Sequence, residues 1–240
     1  MKGYFFAIII MAGTLPLMAQ ELSSTQLLDK AIAYHDPNQL WDVFEGKLFI
    51  TLQFPDGKER RSEVEINLPK EYFKLTTLED DVVIEYILEK EDCTLKLNGN
   101  TSISDEDRNT YRLTCEQALK TKNYYTYLYG LPMKLKDPGS NLDPLVQTKN
   151  LNGKNYLVLK VTYDEDIGND IWYFYFDPST SAMEAYQFFH DEAKNDGEYI
   201  LLNGIENVAS IKMPKIRTWY YNSNNQLLGT DILTKAEPLQ

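Results

Sequence analysis

The chain has 240 residues, with 24 Lys and Arg against 36 Asp and Glu, for a formal net charge of −12. So acidic a surface repels phosphate backbones and anionic headgroups, which argues against nucleic acid or anionic membranes as partners. Two cysteines and two histidines do not stand at the spacing of any familiar Cys₂His₂ zinc site, so neither a metal nor a cofactor is expected.

Residues 1–19 read as a secretory signal peptide. Lys2 is the only charge before Glu21, Phe5 to Met11 is apolar, Gly13 and Pro16 break the run, and Ala19 precedes the expected cut. The apolar run is about half the ~20 residues that a membrane span needs, so no integral span is expected after cleavage. The expected location is periplasmic or secreted. Residues 20–240 contain no repeat, low-complexity tract or linker and read as one domain.

The first element after the signal is a helix. Ser23 and Gln26 have capping-box spacing, Leu28, Ala31, Ile32 and His35 fall on one face, and Asp36-Pro37-Asn38 ends it. Strands follow. Leu48, Ile50, Leu52 and Phe54 alternate with more polar neighbours, Pro55-Asp56-Gly57 turns the chain, and Val64, Ile66 and Leu68 alternate on the return. Val82, Ile84, Tyr86 and Leu88 repeat the pattern, and Cys93, Leu95 and Leu97 continue it to Asn98-Gly99.

Residues 104–136 change period and read as a helical insertion. Ser104 to Asp107 resembles a helix start, with Tyr111, Cys115, Ala118 and Leu119 at helical spacing. A second piece through Tyr124, Tyr125, Tyr127 and Leu128 stops at Gly130 and Pro132. From Asn152-Gly153 onward strands return: Leu157 to Tyr163, Ile171 to Phe176 and Met183 to Phe189. Turns at Asp196-Gly197, Asn203-Gly204 and Asn224-Asn225 separate the last strands, which end near Leu233. The total is about ten to twelve short strands at hairpin spacing, hence one antiparallel sheet.

No nucleophile elbow, phosphate loop or dinucleotide fingerprint is present. Asp164, Asp166, Gly168 and Asp170 miss the EF-hand pattern and read as a turn. At His35-Asp36 an imidazole and a carboxylate adjoin, and a histidine at a helix C-terminus already has a structural reason to be there. His190 reads as a surface residue. Cys93 and Cys115 are either a disulfide or two unpaired buried thiols, since the Cα separation that decides is not in the sequence. The aromatic content, 17 Tyr, 10 Phe and 3 Trp, is more telling. Trp172-Tyr173-Phe174-Tyr175-Phe176 puts rings on both faces of one strand, which calls for burial against helices on one side and inside a curved sheet on the other. That pattern fits a filled core or a concave cavity holding an apolar ligand.

Particular stretches carry a resemblance. Glu63 to Phe73 with Leu68-Pro69-Lys70-Glu71-Tyr72-Phe73, Leu95-Lys96-Leu97-Asn98-Gly99, the hairpin Ile171 to Phe189 around Asp177-Pro178, and Val208 to Tyr220 with Met213-Pro214 are similar to successive strands of the periplasmic outer-membrane lipoprotein carriers (LolA/LolB-like superfamily). The resemblance spans most of residues 25–235. A closer likeness, on Tyr34-His35-Asp36-Pro37, Tyr129-Gly130-Leu131-Pro132 and Gly168-Asn169-Asp170-Ile171-Trp172, is to an uncharacterised group of secreted Gram-negative proteins. The resemblance implies an incompletely closed barrel, lidded by helices, that shelters lipoprotein acyl chains.

The expected fold is therefore mainly β (α+β): an incompletely closed antiparallel β half-barrel with an N-terminal helix and a helical lid insertion. The expected function is binding of a lipid or other apolar ligand in the concave cavity, as a carrier and not an enzyme. The expected wall is Ile50, Leu52, Val64, Ile66, Ile84, Tyr86, Leu159, Trp172, Phe174 and Phe188. Two alternatives stand beside it: an envelope interaction module with a filled core, and a hydrolase-like enzyme using His35-Asp36.

Overall fold

The computed structural model describes residues 22–239, so the signal-peptide reading of residues 1–19 lies outside the described residues. Helix α1 (Ser24–His35) begins at a reciprocal capping box, in which Gln26 N–H donates to Ser23 Oγ at 3.2 Å and Ser23 N–H donates to Gln26 Oε1 at 3.0 Å. It buries Leu27, Leu28, Ala31 and His35 and stops at Asp36, before Pro37.

Five strands then form a meander: β1 (Glu45–Gln53), β2 (Glu59–Asn67), β3 (Tyr72–Glu79), β4 (Val82–Glu89) and β5 (Asp92–Leu97). The insertion follows as α2 (Asp105–Thr110) and α3 (Cys115–Gly130). Eight further strands complete the chain: β6 (Ser140–Leu142), β7 (Gln147–Leu151), β8 (Lys154–Tyr163), β9 (Ile171–Phe176), β10 (Met183–Phe189), β11 (Glu198–Val208), β12 (Ile211–Tyr221) and β13 (Leu227–Glu237).

All the strands belong to one sheet in the order β5-β4-β3-β2-β1-β13-β12-β11-β10-β9-β8-β6, with β7 also paired to β8. Every pairing is antiparallel, and β1 meets β13 at the centre, so the sheet has two arms. Among the described residues the β5 edge does not pair with the β6 and β7 edge. The sheet is thus an open half-barrel with an N-terminal helix and a helical insertion.

Several local expectations change. Tyr111 to Leu119 is not continuous helix. Arg112 takes a left-handed φ of 51°, Thr114 caps α3, Leu113 is buried, and Leu119 points outward. Tyr124 to Leu128 is no separate piece but the second half of α3. Asn203-Gly204 is not a hairpin turn, because β11 runs through it; the reversal lies at Ala209-Ser210, both at positive φ, where neither residue type signals it. β3, β6 and β7 carry no strict apolar alternation, which is why they escape a reading based on period, and β13 runs on past Leu233 to Glu237.

The main core lies on the concave face, against α1 and α3. Strand β9 is buried on both faces as expected, yet among the described residues no α-helix covers the outer one. Trp172, Phe174 and Phe176 join the main core, whereas Tyr173 and Tyr175 form a second cluster with Tyr156, Val158 and Ala185. Neighbouring side chains supply that cover. Lys149 Nζ lies 3.4 Å over the Tyr173 ring, Tyr173 Oη donates to Glu192 at 2.5 Å, and Tyr175 Oη donates to Gln187 at 2.7 Å.

Candidate functional site

A cavity of about 950 Å³, open to solvent on one side, separates the concave face of β2–β4 from the helical insertion. Its floor is Arg60 from β2, Leu75 and Thr77 from β3, and Val82, Ile84 and Tyr86 from β4. Its roof is the α2–α3 connection at Tyr111 and Arg112, with Gln117, Thr121, Tyr124 and Tyr125 of α3. Glu79, Asp80, Arg112 and Lys120 are exposed and stand at the mouth. The volume lies at the upper end of the ~300–1,000 Å³ range of small-ligand sites.

Three contacts hold the roof. Cys93 on β5 and Cys115, the first residue of α3, form a disulfide with a Cα–Cα separation of 6.0 Å, which settles the two readings left open by the sequence. Tyr86 Oη donates to the carbonyl of Arg112 at 3.2 Å, so a floor residue fixes the turn between the two helices. Arg217 on β12 is almost fully buried, donating to the carbonyls of Pro214 at 3.1 Å and of Leu128 on α3 at 3.3 Å. Its guanidinium carbon lies 4.1 Å from the centre of the Tyr129 ring.

Asp231, opposite Arg217 in register, accepts from Trp219 Nε1 at 3.0 Å. Burial pushes its carboxyl above the usual carboxylate range, against the opposing pull of Arg217. Burial likewise raises the Tyr125 phenol of the roof, so it is neutral at neutral pH.

The ten residues expected to wall a cavity separate into groups. Ile84 and Tyr86 line it. Ile50, Val64, Ile66, Leu159 and Phe174 are buried in the main core, and Trp172 and Phe188 are half-buried against it. Leu52 is half-buried, opposite both Arg60 and Asp231. The residues that the sequence reading missed are Arg60, Thr77 and the roof tyrosines. Arg60 had a legible signal: it shares strand parity with Ser62, Val64 and Ile66, so a charge sits on the inward side of β2.

His35 and Asp36 do not form a catalytic pair. His35 is fully buried, its Nδ1 lies 2.7 Å from the carbonyl of Lys212, and its Nε2 accepts from the N–H of Met183 at 2.9 Å. Burial lowers its pKa, so the ring is a neutral brace between α1, β10 and β12. The Asp36 carboxylate accepts from the N–H groups of Leu40 and Trp41 at 2.9 and 2.8 Å. In the 164–170 turn, Asp164 accepts from Asn141 at 2.8 Å and Asp170 lies 2.6 Å from exposed His190.

The model of a family of unknown function (DUF6503) matches residues 4–236. No curated protein matches the chain. Among solved structures, a LolA superfamily protein from Nitrosomonas europaea superposes with a TM-score of 0.54 at 13% identity, covering 91% of this chain and 94% of its own. A DUF1329 family protein from Desulfovibrio piger gives a TM-score of 0.48 at 8% identity, with coverage of 89% and 92%. The fold is LolA-like. No helix among the described residues is long and apolar enough to cross a membrane.

Proposed function

We propose that this chain, which belongs to the DUF6503 family of unknown function, is a carrier that takes a lipid or other apolar ligand into the cavity between β2–β4 and α3. The observation that carries the reading is the cavity itself. It is a hollow of about 950 Å³ that the molecule's own side chains leave unfilled, beneath a helical roof in a LolA-like half-barrel. Ile84 and Tyr86, with Leu75 and Val82, supply the apolar wall. Burial at ~25 cal/mol per Å² would then drive uptake of an acyl chain, including that of a lipoprotein. The Cys93–Cys115 disulfide supports a periplasmic or secreted setting, where oxidising conditions preserve such bonds. With His35 held by backbone on both nitrogens, the hydrolase reading built on His35-Asp36 loses its base.

The test is native mass spectrometry of the protein purified from its own compartment, followed by lipid extraction, beside the Thr77→Phe variant. Thr77 is buried and lines the floor, so a phenyl ring there would occupy the hollow. Co-purified acyl species in the wild type, lost in the variant, are the expected result. A clean apo mass with no uptake of added fatty acid or fatty alcohol would instead favour an interaction module with a largely filled core.

A further inference from the structure

The charges inside the half-barrel do not balance. One cross-strand row runs Arg60 on β2, Leu52 on β1, Asp231 on β13, Arg217 on β12 and Leu202 on β11, each opposite the next in register. By strand parity these residues share a face with the buried Val64, Ile50 and Leu233, so all three charges turn to the concave side. Asp231 sits directly across from Arg217. Arg60 is two strands away from Asp231, roughly 10 Å at the spacing of paired strands, with Leu52 between them. Asp231, the single inward carboxylate of these five residues, faces Arg217 directly and feels Arg60 as well from two strands away.

Across on β3, the register that pairs Arg61 with Leu78 sets Arg60 opposite Glu79, whose exposed side chain forms no ion pair with it. Arg60 is half-buried, it lines the cavity, and its Nε is buried without a hydrogen-bond partner. Among the described residues no carboxylate lies within ion-pair distance of it, while its neighbour Arg61 engages Glu59 at 3.6 Å. The acids of the lining, Glu79 and Asp80, are exposed at the mouth, where the basic Arg112 and Lys120 face the same solvent. A protein with 36 acidic and 24 basic residues has thus placed three basic and two acidic side chains around its cavity, and of these five only Arg60 is half-buried. A partly desolvated guanidinium without a counter-ion is costly, and its planar fork matches a carboxylate or phosphate.

We propose that Arg60 is the head-group anchor of this cavity and that the ligand is a single-chain amphiphile with an anionic head. The head lies on the Arg60 guanidinium, and the chain runs over Leu75, Ile84 and Tyr86. This rests on the carrier reading and narrows it, because a purely apolar pocket would show no preference for charge.

The experiment is calorimetric titration of the full mature protein with palmitate, hexadecanol and 1-palmitoyl lysophosphatidate, in wild type, Arg60→Gln and Arg60→Lys. The expected result is that wild type binds palmitate about tenfold or more tightly than hexadecanol. Arg60→Gln should lose that preference while keeping its hexadecanol affinity, which also certifies its fold, and Arg60→Lys should keep most of the preference. A tighter fit to lysophosphatidate with the same dependence on Arg60 would support the anchor and make the head a phosphate. Equal binding of palmitate and hexadecanol in wild type, or a preference unchanged in Arg60→Gln, would overturn the anchor and leave the carrier reading standing. Binding of none of the three would overturn both.

Discussion

The two arms of the sheet meet the helices in different ways. In the β8–β12 arm the inward positions are large: Leu159, Phe174, Tyr186 and Ile200 are completely buried. Trp172 stacks between Phe174 and Phe188, at centroid distances of 5.9 and 4.8 Å. In the β2–β4 arm the inward positions next to α3 include Arg60, Ser62 and Thr77, and the Ser62 and Thr77 hydroxyls lie 3.5 Å apart. Aromatic rings reach the helix and close the gap; short hydroxyl side chains do not. The hollow therefore lies where the inward side chains are short.

The largest effect that would sharpen this contrast comes from truncating each arm. Phe174→Ala removes a fully buried ring from the filled arm and should cost about 3–5 kcal/mol in chemical unfolding. Ile84→Ala, at a half-buried wall that already borders open space, should cost about 1 kcal/mol. Equal costs would mean that the β2–β4 arm is packed as tightly as the other.

The disulfide comes next. Cys93 and Cys115 are separated by 22 residues, and closing a loop of that size limits the unfolded chain by about 3 kcal/mol. The bond joins the edge strand of the hollow arm to the start of α3. Reduction, or the Cys93→Ser/Cys115→Ser double variant, should therefore lower stability by that order. It should also speed hydrogen exchange in α2, β5 and the first turns of α3 before it is felt in β9–β11. Uniform loss of protection across both arms would argue that the bond acts on the unfolded chain alone.

These differences also explain what could be read from the sequence. Strict alternation at Leu48–Phe54, Val64–Leu68 and Val82–Leu88 marked their strands, because one wet face leaves a period of two. The doubly apolar β9 announced its two-sided burial. β3 was harder: Tyr72 to Glu79 mixes Lys74, Thr76 and Thr77 among its apolar residues, and Thr77 is an inward position. The cavity was least legible for the same reason. A search for apolar inward residues finds the wall of a filled core, so it selects Phe174 and Leu159. A hollow is marked by where large residues are missing, at Ser62 and Thr77, and by a charge at the wrong parity, Arg60. The break between α2 and α3 escaped because Arg112, which takes the left-handed conformation, is not a residue type that signals it.

The smallest effect concerns His35, which belongs to the filled arm through its bonds to β10 and β12. Burial, the dominant cause, holds its folded pKa below the ordinary 6.5, partly offset by its bond to the Lys212 carbonyl. As pH falls below about 6.5 the unfolded chain takes up a proton that the native ring refuses, so the unfolded state binds more protons and stability declines. The decline should stop once the pH passes below the folded pKa. His190 works in the opposite sense: Asp170 raises its pKa, so its contribution is full below 6.5 and is lost as pH rises, but its exposure keeps that term small. Urea midpoints at pH 7.5, 6.5 and 5.5 should therefore fall toward acid in the wild type and fall less in His35→Gln. The cavity lining contains no histidine, so uptake of neutral hexadecanol should stay level across the same window. A binding curve that followed the stability curve would mean that the filled arm sets the shape of the hollow one and that the two arms do not act separately.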